Sequence, residues 1–174
     1  KQCPNLEALS LIGCHRVTEI IESSSHPTLT NLKKLDVGHS PNLHKLKLEA
    51  YSLINLKGSH TSLLQLILGS DLRRNNVLTS DLLEYFLHPF LSQLELLELR
   101  HCEKIDNRVV PIIHKYCPNL KALSLAGCIG VTEITESSSQ PMLTNLEDLD
   151  VSHCNNLHTL KLEVRLLSNL KGSH

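Results

Sequence analysis

The stretch CPNLKALSLAGCIGVTEI, residues 117–134, carries the pattern on which the fold turns. Leu120, Leu123 and Leu125 hold the first, fourth and sixth places of an L-x-x-L-x-L unit. The alternation Leu123-Ser124-Leu125 has the period of a strand with one buried face. The same unit begins at Leu6, Leu32, Leu43, Leu63, Leu94, Leu146 and Leu157, with Val37 and Val151 as conservative third members. Leu6 to Leu32, Leu94 to Leu120 and Leu120 to Leu146 are each 26 residues apart. That is room for a strand, a turn and a return segment, so the spacing predicts one coil of a strand-plus-helix repeat.

A second, larger repeat encloses these units. Residues 1–60 and 115–174 align without gaps at a period of 114 and agree at 42 of 60 positions. LTNLKKLDVGHSPNLHKLKLEA from Leu29 returns as LTNLEDLDVSHCNNLHTLKLEV from Leu143. Two related blocks thus flank a divergent middle, residues 61–114, within one repeat domain spanning 1–174. Both ends fall inside repeats without a polar capping unit, so the stretch reads as a fragment of a longer array, prone to fray or self-associate.

Composition agrees and narrows the function classes. Leucine accounts for 37 of the 174 residues, whereas aromatic residues make up only 3 % and tryptophan is absent. Such a core comes from repeating one small unit and is unlike the lining of a typical enzyme pocket. A net charge of −1 gives no basic footprint for nucleic acid. No apolar run approaches the ~18 residues of a membrane helix. Six cysteines are too few for a disulfide scaffold, and no C-x-x-C pair suggests structural zinc.

Not every step is 26. Leu32 to Leu43, Leu43 to Leu53 and Leu53 to Leu63 are only 10 or 11 residues apart. A coil cannot close in so few, so alternate units must lie on opposite sides of one turn. Coils of about 20 residues from Leu43 to Leu63, with Leu53 on the return path, satisfy this. Two return segments read as helices: Asp81–Leu91, capped by Thr79-Ser80 and stopped or bent at Pro89, and Arg108–Tyr116. ESSSHP from Glu22 and ESSSQP from Glu136 read as exposed polar loops.

CPNLKALSLAGCIGVTEI and LELLELRHCEKIDNRVVPIIHKY from Leu94 resemble the cysteine-containing leucine-rich repeat, best known from F-box proteins, the substrate receptors of cullin-RING ubiquitin ligases. LDVSHCNNLHTLKLE from Leu149 looks more like the shorter repeats of bacterial leucine-rich proteins, some of them host-directed. The resemblance implies an α/β leucine-rich repeat solenoid: a horseshoe with a parallel concave β-sheet and short helices or loops on the convex side. It implies a non-catalytic arm that binds another protein, with ligase subunits engaging regions outside this chain. The alternative is the host-recognition domain of a bacterial effector or surface protein, which would be secreted.

Cys14, Cys102, Cys128 and Cys154 stand at the ninth place of L-x-x-L-x-L-x-x-C, where an inward thiol fills space and offers a weak donor to loop backbone. Reduced, buried thiols favour an intracellular compartment. His39, His101 and His153 recur at the eighth place but are too far apart along the array to share one metal, and read as rim or turn residues. No motif supplies a nucleophile with its base and oxyanion donors, so neither an enzyme nor a cofactor is expected. The candidate protein-binding residues are those released from the core on the concave face: Lys34, Asp36, Lys45, Lys47, Glu98, Arg100, His101, Asp148, Asp150 and His153. Between the blocks Lys33-Lys34 becomes Glu147-Asp148 while the strand leucines stay fixed. This predicts a basic and an acidic patch on one face, steering a partner of mixed charge.

Overall fold

The computed structural model describes residues 3, 5–23, 28–49, 52–58, 63–68, 75–87, 91–135, 142–163 and 165–172. In chain order the strands are β1 (Ala8–Ser10), β2 (Glu19–Ile21), β3 (Lys34–Asp36), β4 (Lys45–Leu48), β5 (Asn55–Lys57), β6 (Gln65–Leu68) and β7 (Asn75–Thr79), followed by helix α1 (Ser80–Leu87). Then come β8 (Leu96–Glu98), β9 (Cys102–Lys104), helix α2 (Val109–Tyr116), β10 (Ala122–Ser124), β11 (Glu133–Thr135), β12 (Asp148–Asp150), β13 (Thr159–Lys161) and β14 (Asn169–Lys171).

The strands alternate between two walls. All seven even-numbered strands form one unbroken parallel sheet in the order β2-β4-β6-β8-β10-β12-β14. The odd-numbered strands form the second wall as three shorter sheets, β1-β3-β5, β7-β9 and β11-β13, again parallel. Coils of both expected lengths occur: Leu46 pairs with Leu66 across 20 residues, and Leu97 with Leu123 across 26. Leu56 lies on the return path, paired with Leu35 in the second wall. Among the described residues every return contributes a brief strand, so the second wall is more β-rich than expected, and the two helices stand in the returns of the middle region.

Parity has a further consequence. From β1 to its duplicate β10 the chain passes nine strands, an odd number, so the second block sits half a turn out of phase with the first. β1, β3 and β5 of the second wall correspond to β10, β12 and β14 of the seven-stranded wall, and β2 and β4 correspond to β11 and β13. The duplicated segments therefore face opposite sides of the molecule.

The leucines fill the space between the walls. Leu35, Leu46, Leu66 and Leu97 are fully buried, and Phe86 from α1 is the largest side chain in that core. At α1, Thr79 Oγ1 accepts the Leu82 N–H at 3.2 Å, the expected cap. α2 begins at Val109, and Asp106 accepts the Arg108 N–H. The two helices are tied by Arg108 to Asp81 at 2.6 Å and Lys115 to Glu84 at 3.2 Å. Burial opposes ionisation of Asp106, but bonds from Arg108 and Ser80 outweigh it and hold its pKa below the ordinary value. Pro89 lies outside the described residues.

One expected exposed loop is corrected at its start. Glu22 is buried, its carboxylate accepting the N–H groups of Thr28, Leu29 and Glu49, so it pins the turn between β2 and β3 onto β4. Ser23 is exposed as expected, whereas residues 24–27 and 136–141 lie outside the described residues.

Candidate protein-binding face

On the seven-stranded wall the registers align the outward side chains into two rows. One runs Glu19, Lys45, Gln65, Leu96, Ala122, Asp148, Asn169; the other Ile21, Lys47, Ile67, Glu98, Ser124, Asp150, Lys171. Strands 4.7–4.9 Å apart bring these side chains within reach of a single partner. In one half of the wall Lys45 and Lys47 stand beside Glu19, and in the other Glu98, Asp148 and Asp150 stand with Lys171. Arg100 follows β8 and its Nε lies 3.2 Å from Glu98 Oε2. Burial opposes ionisation of Asp150, but its bonds from Ser152 and the nearby Arg100 and Lys171 charges prevail and keep its pKa low. A shallow cavity of about 180 Å³ opens here, floored by Leu97, Leu123 and Leu149 and rimmed by Arg100, Ser124, Asp150 and Lys171.

The ten residues expected on one face are thus divided. Lys45, Lys47, Glu98, Asp148 and Asp150 stand on the seven-stranded wall, with Arg100 beside them. Lys34 and Asp36 do not: they belong to β3 in the second wall, because the odd strand count between the duplicates puts them there. The double reversal from Lys33-Lys34 to Glu147-Asp148 therefore contrasts opposite walls and not two ends of one, and Lys33 already pairs with Glu7 at 2.7 Å. The second wall repeats the cavity: Ser10, Asp36, Asn55 and Lys57 rim a depression of about 300 Å³ and match Ser124, Asp150, Asn169 and Lys171. Lys34 in place of Asp148 reverses the charge between these two copies of one stencil.

His101 and His153 do a different job. Together with His39 they have φ of 53° to 59°, and the same turn position is Gly13 and Gly127 in two further units. The eighth place is a left-handed turn, a conformation in which histidine is several-fold enriched among non-glycine residues. At Gly127, φ +73°, a Cβ would lie 2.2 Å from the His101 imidazole of the preceding coil, so a larger residue there must displace that ring. Among the described residues no three His, Cys, Asp or Glu side chains converge to hold a metal.

The ninth place forms a ladder along the array. Cys128 Sγ donates to Leu99 O at 2.9 Å and Cys154 Sγ to Leu125 O at 3.0 Å; Cys102 reaches Leu68 O at 3.5 Å. Ser40, the counterpart of Cys154, donates to Leu11 O at 3.0 Å, so a hydroxyl fills the same role. Burial pushes the Cys102 and Cys117 thiols up to about 12, and raises Cys128 and Cys154 as well. These four are protonated at neutral pH and are poor nucleophiles. Cys3, by contrast, is exposed.

A second ladder went unread in the sequence. Asn42, Asn119, Asn145 and Asn156 each precede a unit's first leucine and donate Nδ2 to a backbone carbonyl 27 residues earlier, those of His15, Ser92, Pro118 and Ile129, at 2.6–3.0 Å. The recurrent Asn-Leu dipeptide was its signal. Asn107 acts similarly on β11, accepting the Thr132 N–H at 2.8 Å.

The family model of plant disease resistance protein RPS2-like leucine-rich repeats matches residues 90–171. No curated protein matches the chain. Among solved structures, an internalin from Listeria monocytogenes is similar at 13 % identity and a TM-score of 0.32, covering 90 % of this chain and 67 % of that one. Parallel walls, leucines at fixed places and coil-to-coil ladders show the fold of a leucine-rich repeat solenoid, and residues 90–171 match the model of that repeat family.

Proposed function

We propose that the chain is a non-catalytic scaffold whose seven-stranded wall binds another protein. The observation that carries this reading is the two continuous rows of outward side chains, which the core does not use and which a solenoid presents to macromolecules. The wall's opposite charges would steer the encounter. The ladder of buried thiols supports a finer placement, the substrate-recognition arm of an F-box-type ubiquitin ligase inside the cell. The ligase subunits would engage regions outside these residues, and any ubiquitin transfer would belong to them.

A photoreactive residue at Ala122, on the wall, is expected to yield a discrete adduct with one protein in the native cell. The same residue at Tyr85, exposed on α1, is expected to yield none. Equal adducts from both sites, or adducts from Tyr85 alone, would refute the wall as the binding face. Combining Lys45→Glu with Lys47→Glu should then slow association and lengthen the captured protein's cellular lifetime. Slower association with an unchanged lifetime would reject the ligase arm and leave the scaffold standing.

A further inference from the structure

Seven of the eight residues that line the second-wall depression recur unchanged at the matching places of the other cavity. The eighth is Lys34, which stands where the second block has Asp148. That one difference inverts the charge: Lys34 and Lys57 face Asp36 in the first block, whereas Asp148 and Asp150 face Lys171 in the second. In both, one carboxylate is engaged by its own turn, Asp36 Oδ1 accepting the Gly38 N–H and Asp150 Oδ1 the Ser152 N–H, each at 3.0 Å. Lys34 and Lys57 are exposed, and among the described residues neither has an ion pair, unlike the adjacent Lys33, which is paired with Glu7.

We propose that this second-wall depression is a separate docking site for an extended acidic segment of a partner protein, with carboxylates at alternate positions received by Lys34 and Lys57. The register selects that occupant. Lys34 lies opposite Asn55 and Asp36 opposite Lys57, so the two lysines stand on a diagonal. A strand spacing of ~4.8 Å and a two-residue rise of ~6.6 Å set them about 8 Å apart. A compact dianion such as phosphate, engaging both ammonium groups at once, would lie between Asn55 and Asp36, close to a carboxylate that repels it. Carboxylates on alternate residues of an extended segment are about 7 Å apart, so each can meet one lysine away from that centre. Asn55 and Ser10 offer hydrogen bonds beside them, and Leu9 and Leu35 form an apolar floor for the side-chain stems. The site uses the wall opposite to the seven-stranded one and does not rest on the binding reading above.

Titrating a synthetic peptide of alternating glutamate and glycine, while following backbone amide resonances by nuclear magnetic resonance, tests this. Saturable shifts are expected at Lys34, Asn55 and Lys57. Lys34→Asp, which installs the residue of the other block, is expected to weaken the peptide at least about tenfold, because a cation becomes an anion. Lys34→Arg keeps the charge and is expected to stay within about threefold of the unaltered chain. The reciprocal variant Asp148→Lys is expected to gain peptide-dependent shifts at Asn169 and Lys171 on the opposite wall. If Lys34→Asp fails to fold, Lys57→Gln replaces it, with a weakening in the same direction. No saturable shift at the three residues, unchanged binding by the folded Lys34→Asp or Lys57→Gln variant, or no gain in folded Asp148→Lys would each overturn the proposal. So would inorganic phosphate shifting the same amides with equal affinity, since the site would then take a free anion and not an acidic segment.

Discussion

Alanine at Leu56 is expected to cost about 2–5 kcal/mol, the range for a buried leucine whose cavity only partly collapses. Alanine at Leu170, the same residue of the duplicate block, is expected to cost under about 1 kcal/mol. The two leucines share their sequence neighbourhood, Asn-Leu-Lys-Gly-Ser-His. Leu56 is 2 % exposed between Leu35 and the coil that follows it, whereas Leu170 is 51 % exposed at the edge of the sheet. Local propensity is equal at the two sites, so the difference measures tertiary packing alone. Denaturant midpoints of the two variants check it, and equal losses would mean that the coil over Leu56 is not where the structure has it.

The second large effect is at Gly130. Its φ is unexceptional, yet a Cβ there would lie 2.4 Å from Ile105 O and 2.8 Å from Glu103 O. Both are backbone atoms and cannot rotate aside, so Gly130→Ala is expected to push β9 off β11's coil and cost about 2–4 kcal/mol. Gly172→Ala is the control. Its nearest neighbour, Val151 Cγ2, is 3.9 Å away, so its effect should stay within about 0.5 kcal/mol. Thermal or urea unfolding of both variants decides the matter.

Much of the fold could be read from spacing. The 26-residue step fixes the pairing of Leu97 with Leu123, and the 10- and 11-residue steps force Leu53 and Leu56 onto the return path. Helical periodicity located α1 and α2, and the ninth-place cysteines announced the thiol ladder. The choice of wall was not legible. It depends on the parity of the strand count, and several strands, such as β7 (NNVLT) and β9 (CEK), lack the leucine unit by which strands are counted. For that reason the sequence pattern alone puts Lys34 and Asp36 on the same face as Asp148 and Asp150. The recurrent eighth-place histidines are legible as turn residues, whereas the left-handed backbone there leaves no signature beyond glycine at 13 and 127, a hint that requires the units to be superimposed.

The half-turn between the blocks, with its matched stencils on opposite walls, is tested most directly by cross-strand nuclear Overhauser effects from the Leu97 backbone. Leu97 is expected to contact Leu66 on one side and Leu123 on the other, while Leu56 contacts Leu35. A contact between Leu97 and Leu56 would place the duplicated blocks in phase, return Lys34 and Asp36 to the face of Asp148 and Asp150, and contradict the two-wall arrangement.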